Sequence, residues 1–471
     1  MTFVAAQHFG QGDLSGRSRV LGNARLAEPG TSFHSMDGNL ERLLEAEKER
    51  QKRAPGVAAA TGLRDSVEPA RRCGPAPRGH TLAAMNRREM LAGVAAPVLI
   101  PQRAFGANDR VTFGIAGTGN RGGWLHKSFM KLGAECVAVC DTYEPYMERA
   151  RRESPAGVKT YADYHDLLEH PGLDCVVVAT PDHQHRPMLY AALKAKKDVY
   201  LEKPFSMNLA ESAVMVRTVR GTDRIVQIGM HRRSMPFVYA AKKLIDEGTL
   251  GKVWHARAAW NWNFVEWLDN SPLEGKLDWE RFLGDAPKRP LEPRRFRWWR
   301  GFWDYSGGNM TDQGTHLMDV IQWMTGNSPP KSAVCNGAVC RNKTAEAPDV
   351  FTAVFEYPAM MATWSLNYTS AYDYDWSITL QGEQAAMVLN RFGYRVFKEV
   401  QPGSQPWTSG PADKVIAEMP DKDSADAHPR NFLECLRSRQ QPNCTVEIAA
   451  AAVAGPHMAN LAYREGRKVT A

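Results

Sequence analysis

The sequence predicts an α/β fold in which a parallel sheet, wound on both faces by helices, is followed by a region of antiparallel strands. Three observations carry that prediction. A short, mostly apolar run at Val111–Ile115 leads into Gly117-x-Gly119-x-x-Gly122. Strand-like and helix-like patterns then alternate as far as Ile228. Beyond His316 the hydrophobic pattern changes to period two.

The first run has the β-branched character of a buried parallel strand. Gly117 permits a tight turn, Gly119 lets backbone approach a pyrophosphate, and Gly122 lets the next helix pack close to the strand. The helix N-terminus then offers free N–H groups to phosphates. A plain glycine-rich turn is the alternative for the spacing alone. Here Glu135–Val139 reads as a second strand and Asp141 follows it, where an acidic side chain accepts from a ribose 2′-hydroxyl. Gly117, Thr118, Gly119, Asn120, Arg121, Gly122 and Asp141 therefore form a candidate dinucleotide cradle. No arginine directly follows Asp141, which favours NAD. NADP stays open, because Arg121 lies in the glycine loop and could meet a 2′-phosphate.

Further strands are expected at Asp174–Ala179, Asp198–Leu201 and Ile225–Ile228, with helices at Pro187–Ala195 and Leu209–Arg220. In such sheets ligands lie outside the carboxyl ends of the strands. Thr180-Pro181-Asp182-His183-Gln184-His185 and Glu202-Lys203-Pro204 both follow strands directly. Thr180, Pro181, His185, Glu202 and Lys203 are accordingly expected at the nicotinamide end. His183 and His185 have the look of a metal pair, but no third ligand has suitable spacing, and no metal is expected.

The glycine motif, Glu202-Lys203-Pro204 and the later Asp312-x-x-x-His316 resemble the Gfo/Idh/MocA oxidoreductases, from about Val111 to the C-terminus. The resemblance implies a Rossmann domain followed by an α/β domain with a large, open, mostly antiparallel sheet that carries the substrate site and the oligomer interface. It implies Lys203, Asp312 and His316 as the catalytic group. It also implies a homo-oligomer, dimer or tetramer, through the C-terminal sheet. The segment His428–Ser438 looks like the closing helix of that family.

The chemistry points the same way. Oxidising a secondary alcohol removes a proton from oxygen and a hydride from carbon, and histidine is suited to take the proton near neutral pH. His316 reads as that base. If Asp312–Trp323 is one helix, Asp312 shares a face with His316 and either orients it or holds the substrate hydroxyl. Lys203 would hold the same hydroxyl and stabilise developing negative charge. The alternatives are a helix N-cap for Asp312 and an exposed polar position for His316.

The sequence around this group is rich in tryptophan. Trp260, Trp262 and Trp267 precede it, and Phe296-Arg297-Trp298-Trp299-Arg300-Gly301-Phe302-Trp303 leads into Gly307-Gly308. Flat rings beside polar side chains suit sugar faces, and arginines suit a sugar acid or phosphate. Trp262 and Trp299 are candidate substrate contacts, with His231 and Arg232 at the start of the second region; ordinary core is the alternative. Asp349–Tyr357, Met361–Asn367 and Trp376–Gly382 read as successive antiparallel strands, one face on helices and the other, if apolar, a candidate dimer face.

Residues before Met85 show no core pattern and read as disordered. Arg87-Arg88, a modest apolar run and a small-residue site near Ala104-Phe105-Gly106 resemble a twin-arginine export signal, which predicts a periplasmic or secreted protein. If that signal is misread, the protein is cytoplasmic. Since a signal belongs at an N-terminus, translation is expected to start at Met85. Residues 1–106 hold 15 of the 59 basic and 10 of the 52 acidic residues, so the remainder is nearly neutral, with no nucleic-acid patch. No membrane-spanning run is present. Cys335 with Cys340, or Cys435 with Cys444, could pair in an oxidising compartment. The expected division is 1–84 disordered leader or mis-called start, 85–106 twin-arginine signal, 107–229 dinucleotide-binding domain and 230–471 substrate and oligomerisation domain.

The function this implies is NAD-dependent hydride transfer to or from a sugar, sugar acid or cyclitol. The alternatives are an NAD-dependent glycosidase acting by oxidation, elimination, hydration and reduction, and a non-catalytic sensor.

Overall fold

The computed structural model describes residues 110–471, apart from 264–268, 327–328, 401–402, 404–409 and 422–424. The leader, the twin-arginine segment and Trp267 lie outside the described residues.

The first half alternates strand and helix: β1 (Thr112–Ala116), α1 (Asn120–Lys131), β2 (Glu135–Cys140), α2 (Glu144–Glu153), β3 (Lys159–Tyr161), α3 (Tyr164–Leu168), β4 (Cys175–Val178), α4 (His185–Lys194), β5 (Asp198–Leu201), α5 (Leu209–Arg220) and β6 (Val226–Ile228). All six strands are parallel, in the order β3-β2-β1-β4-β5-β6. Every residue of β4 and β5 is buried between two helical layers, including Asp198 at the start of β5, whose carboxylate pairs with Arg439 at 2.6 Å. Asn208 caps α5 by accepting from the Glu211 N–H. The order reverses between β1 and β4, which opens the crevice where ligands of such sheets lie.

The second sheet has nine strands in the order β14-β13-β12-β11-β7-β10-β9-β8-β15. They are β7 (Val253–Asn261), β8 (Ser332–Ala338), β9 (Val350–Glu356), β10 (Met361–Asn367), β11 (Asp375–Gly382), β12 (Ala385–Asn390), β13 (Gly393–Lys398), β14 (Val415–Pro420) and β15 (Val469–Thr470). The pairings are antiparallel except β7 with β10. The three strands expected after His316 are present. However, β10 and β11 are not neighbours: β7, from about a hundred residues earlier, lies between them. No local pattern signals that insertion. The inward face packs on the helix before β8 and on the last helix. The outward face is mixed, with Trp254 and Met361 exposed beside Thr352 and Ser365, which hydrogen-bond to each other.

Between β6 and β8 lie α6 (Pro236–Asp246), α7 (Trp279–Leu283), α8 (Pro293–Arg297), α9 (Gly308–Asp312) and α10 (Gly314–Thr325). The chain ends with α11 (Ala427–Ser438) and α12 (Val446–Glu465). The expected closing helix is α11, and it returns to the first sheet. Phe432 stacks edge-on against Phe129 and Tyr200, and His428 bridges the Ile228 carbonyl and Ser234 Oγ. The start of α12 also joins the core of the parallel sheet, through Val446, Ala449 and Val453. A cut at 229/230 in sequence is therefore not a cut in space.

All seven cysteines of the described residues are free, so neither suggested pair forms a disulfide. Among the described residues no helix is long and apolar enough to cross a membrane.

Candidate active site

A groove of about 560 Å³ runs along the carboxyl ends of β1, β2 and β4. Gly117, Gly119, Asn120, Arg121, Asp141, Thr180 and Pro181 line it. Gly117 has φ +82°, and a Cβ there would meet the Ala179 carbonyl oxygen at 2.7 Å. A Cβ on Gly122 would stand 1.9 Å from the Gly117 oxygen, so helix and turn touch through backbone. Gly119 faces only the Tyr146 ring, at 3.5 Å, and leaves the mouth of the loop open. No side chain caps α1. The cradle therefore fits a dinucleotide, with free N–H groups where a pyrophosphate would rest.

Asp141 accepts from the Thr118 N–H at 2.6 Å, the Thr118 hydroxyl at 3.0 Å and the Tyr143 N–H at 2.9 Å. Burial raises its pKa, and these hydrogen bonds oppose the shift. Thr118 is fully buried behind the loop, holding Asp141 at the groove wall.

Two sequence expectations change here. Arg121 does not reach toward the ribose end. Its Nε donates to Glu202 at 2.7 Å and its guanidinium lies 4.5 Å above the Trp124 ring, so Glu202 decides its direction. His185 does not line the groove. It is fully buried, with Nδ1 2.8 Å from the Pro204 oxygen and Nε2 3.1 Å from the Thr180 oxygen. A neutral imidazole has one N–H for these two acceptors, and it braces the loop after β4 against the loop after β5. His183 donates to the Phe282 carbonyl at 2.8 Å and packs against Tyr305.

A second cavity of about 220 Å³ opens beside the groove, lined by Arg121, Ala179, Thr180, Glu202, Lys203, His231, Trp299, Arg300 and His316. Lys203 Nζ is 2.7 Å from Asp312 Oδ1 and 3.0 Å from the Asp312 carbonyl oxygen. Arg300 Nε donates to the same Oδ1 at 3.0 Å. Desolvation raises the pKa of Asp312, but Arg300 and Lys203 overcome it and hold the carboxyl far below its ordinary range. The sequence offers Arg300 only as one of the arginines of the tryptophan-rich run that suit a sugar acid or phosphate; its pairing with Asp312 has no sequence signal.

Asp312 and His316 are not on one continuous helix. Asp312 ends α9, Gln313 breaks the run, and His316 lies in the first turn of α10. The cause is local: Gly307 and Gly308 lead in, and the Thr315 hydroxyl bonds back to the Thr311 carbonyl. Asp312 serves Lys203 and Arg300, while the His316 ring meets His231 edge-on at 4.8 Å. His316 Nδ1 has no partner among the described residues. Burial first, then Arg232, Lys203, His231 and Arg121, keep its pKa well below the usual imidazole value. The ring is neutral and able to accept a proton.

Trp299 lines both cavities. Trp262 lies against the second sheet, stacked on Tyr368, with Nε1 donating to Asp375 at 3.2 Å. Arg232 is buried between the Trp260 and Trp376 rings, at 5.3 and 4.3 Å. Among the described residues no group of three or more His, Cys, Asp or Glu side chains is placed to hold a metal.

Residues 111–230 match the family described as "Oxidoreductase family, NAD-binding Rossmann fold", and residues 238–388 match "GFO/IDH/MocA C-terminal domain". A myo-inositol 2-dehydrogenase of Thermotoga maritima is 27% identical over 243 residues, 51% of this chain and 63% of that protein. A scyllo-inositol 2-dehydrogenase (NAD(+)) of Bacillus subtilis is 33% identical over 220 residues, 46% of this chain and 54% of that protein. Both matches thus span less than two thirds of the relative. A levoglucosan dehydrogenase solved with NADH shares the fold with a TM-score of 0.60 at 16% identity, covering 77% of this chain and 99% of that one. With both parts of the fold matched and the dinucleotide cradle in place, the chain belongs to the Gfo/Idh/MocA family of NAD-binding oxidoreductases.

Proposed function

We propose that this protein oxidises a secondary alcohol of a sugar, sugar acid or cyclitol, with NAD as hydride acceptor, and runs the reverse reaction with NADH. One observation carries the reading: the cavity holding Lys203 and His316 shares Arg121, Ala179, Thr180, Trp299 and Arg300 with the dinucleotide groove. A substrate in the small cavity would therefore abut the nicotinamide end. The inositol dehydrogenases among the relatives support a polyol substrate.

When bound, NAD supplies the hydride acceptor. His316 takes the hydroxyl proton onto its neutral imidazole. Lys203 donates an N–H to the alcohol oxygen and stabilises the charge that develops there. Asp312 holds Lys203 in place, and Arg300 shares that carboxylate. Trp299 and His231 line the cavity beside them. The test is a panel of cyclitols, sugars and sugar acids with the protein and NAD, following NADH. No reduction by any member, with wild type and His316→Asn alike, would remove the proposal.

We further propose, from Arg87-Arg88 and the apolar run after it, export by the twin-arginine route, which carries folded proteins. A cofactor taken up before export would be held tightly and recycled in place, making the net reaction redox-neutral. The oxidation–elimination–hydration–reduction route of a glycosidase fits that constraint and would use the same Lys203 and His316. Bound NAD in the exported protein, slow to exchange with labelled NAD, is the expected result; an empty, fast-exchanging protein would refute it.

A further inference from the structure

His231 and His316 stand side by side in the wall of the small cavity. Both line it, and their rings meet edge-on with centroids 4.8 Å apart. His231 opens the short turn His231–Ser234 after β6, while His316 lies in the first turn of α10. Neighbouring residues hold the two in register. Arg233 Nε donates to Asp319 Oδ1 at 2.5 Å, so the turn carrying His231 is bonded to the helix carrying His316. Ser234 Oγ lies 2.7 Å from His428 Nδ1, which fixes the other end of the turn.

The charged side chains of this cavity are committed to one another. Lys203 and Arg300 share the carboxylate of Asp312, and Arg121 pairs with Glu202. The imidazoles are not. Nδ1 of each is buried without a partner, and neither ring makes a hydrogen bond among the described residues. Burial, and then Arg121, Arg232, His428 and Lys203, keep the His231 pKa well below the usual imidazole value, so this ring is neutral too. A neutral imidazole carries one N–H donor and one lone-pair acceptor. A hydroxyl both donates and accepts, and so meets either nitrogen, whereas a carboxylate only accepts. Proton transfer needs one imidazole, His316. The second stands 4.8 Å from it. With each hydrogen bond about 2.9 Å long, rings that close suit two oxygens on adjacent carbons of one substrate.

We infer that His231 is a specificity-determining contact for a second hydroxyl, on a carbon next to the one oxidised, so that this protein selects a vicinal diol. The inference rests on the hydride-transfer reading for which carbon reacts, but not for its binding measurement. NAD-loaded wild type is given myo-inositol, glucose and galactose, with the monodeoxy analogues of each. Calorimetry reads binding and NADH formation reads turnover. For the parent that binds best, removing one hydroxyl beside the oxidised carbon should weaken binding and lower kcat/KM ~10–100-fold, the effect of leaving a buried polar group unpaired. His231→Met should bring the parent down to the level of that analogue and leave the analogue itself within about twofold. His231→Gln keeps an amide donor and acceptor and should restore part of the difference. NAD affinity should stay within about twofold in both variants, because His231 does not line the dinucleotide groove. Wild type that treats every analogue altered beside the reacting carbon like its parent overturns the inference, whether or not the variants fold. So does a His231→Met protein that still discriminates. Binding that depends on two adjacent hydroxyls without NADH formation leaves the contact standing and overturns hydride transfer instead.

Discussion

Lys203 Nζ lies 2.7 Å from Asp312 Oδ1, joining residues 109 positions apart across the two sheets. The ammonium comes from the loop after a parallel strand, and the carboxylate from the end of a short helix packed under the second sheet. Arg300 grips the same oxygen at 3.0 Å. The pair therefore couples the cofactor-binding half to the substrate half at the point where chemistry is proposed.

His316→Asn and Lys203→Ala should each lower kcat by ~10²–10⁴ while leaving NAD affinity nearly unchanged. The two losses should not add in the double variant, because both groups act on one hydroxyl. Steady-state rates and NAD titrations check this. Fully additive losses would mean that the residues act separately.

Removing the shared carboxylate should cost stability as well as rate. Asp312→Asn leaves Lys203 and Arg300 without a counter-charge, and loss of one member of a buried ion pair costs about 3–5 kcal/mol. Denaturant unfolding should show a loss in that range. A loss under about 1 kcal/mol would mean that water replaces the carboxylate.

Asp141→Ala should shift cofactor preference from NAD toward NADP. The carboxylate that faces the ribose end would be gone, and with it the repulsion of a 2′-phosphate. Affinities for both cofactors before and after the change decide it. An unchanged ratio would show that Asp141 serves only to hold Thr118 and Tyr143.

Asp182 should set part of the pH dependence of stability. Burial, and then the neighbouring Asp312 charge, raise its pKa to about 7, against Arg300 and Lys203. Neither carboxyl oxygen has a hydrogen-bond partner within ordinary geometry, although the Ser306 hydroxyl lies beside it. An unfolded aspartate titrates near ~3.9. The folded protein thus binds the proton more tightly, and this stabilisation is complete below that value. It is lost as pH rises through about 7. Asp182→Asn should flatten the fall in Tm between pH 5 and 8. Parallel curves for wild type and variant would place the dependence elsewhere.

The strands around the cradle were legible because each is encoded in consecutive residues. Val176 to Val178 can only be buried strand, and α5 begins and ends at the residues its pattern marks, Leu209 and Arg220. The turn at Gly117 was legible for the same reason, since its positive φ and its contact with the Ala179 carbonyl exclude a side chain. Lys203 and His316 could be named from type and spacing and do share a cavity. Their partners could not. Asp312 was expected to share a helix face with His316 and either orient it or hold the substrate hydroxyl, but the turn at Gln313 and the arrival of Arg300 tie its carboxylate to Lys203 and Arg300. Arg121 was open to a ribose phosphate until Glu202, 81 residues away, claimed it.

By itself, then, the sequence determined the order of strands and helices, the glycine cradle and the residue types available for proton transfer. These depend on local periodicity and on backbone sterics within a few residues. Only the tertiary structure decided that β7 splits β10 from β11, that α11 closes back on the first sheet, and that Arg232 stands between two tryptophans with Nε and Nη1 unpartnered. Those outcomes depend on charges and faces brought together from distant positions, where geometry and desolvation choose the partner.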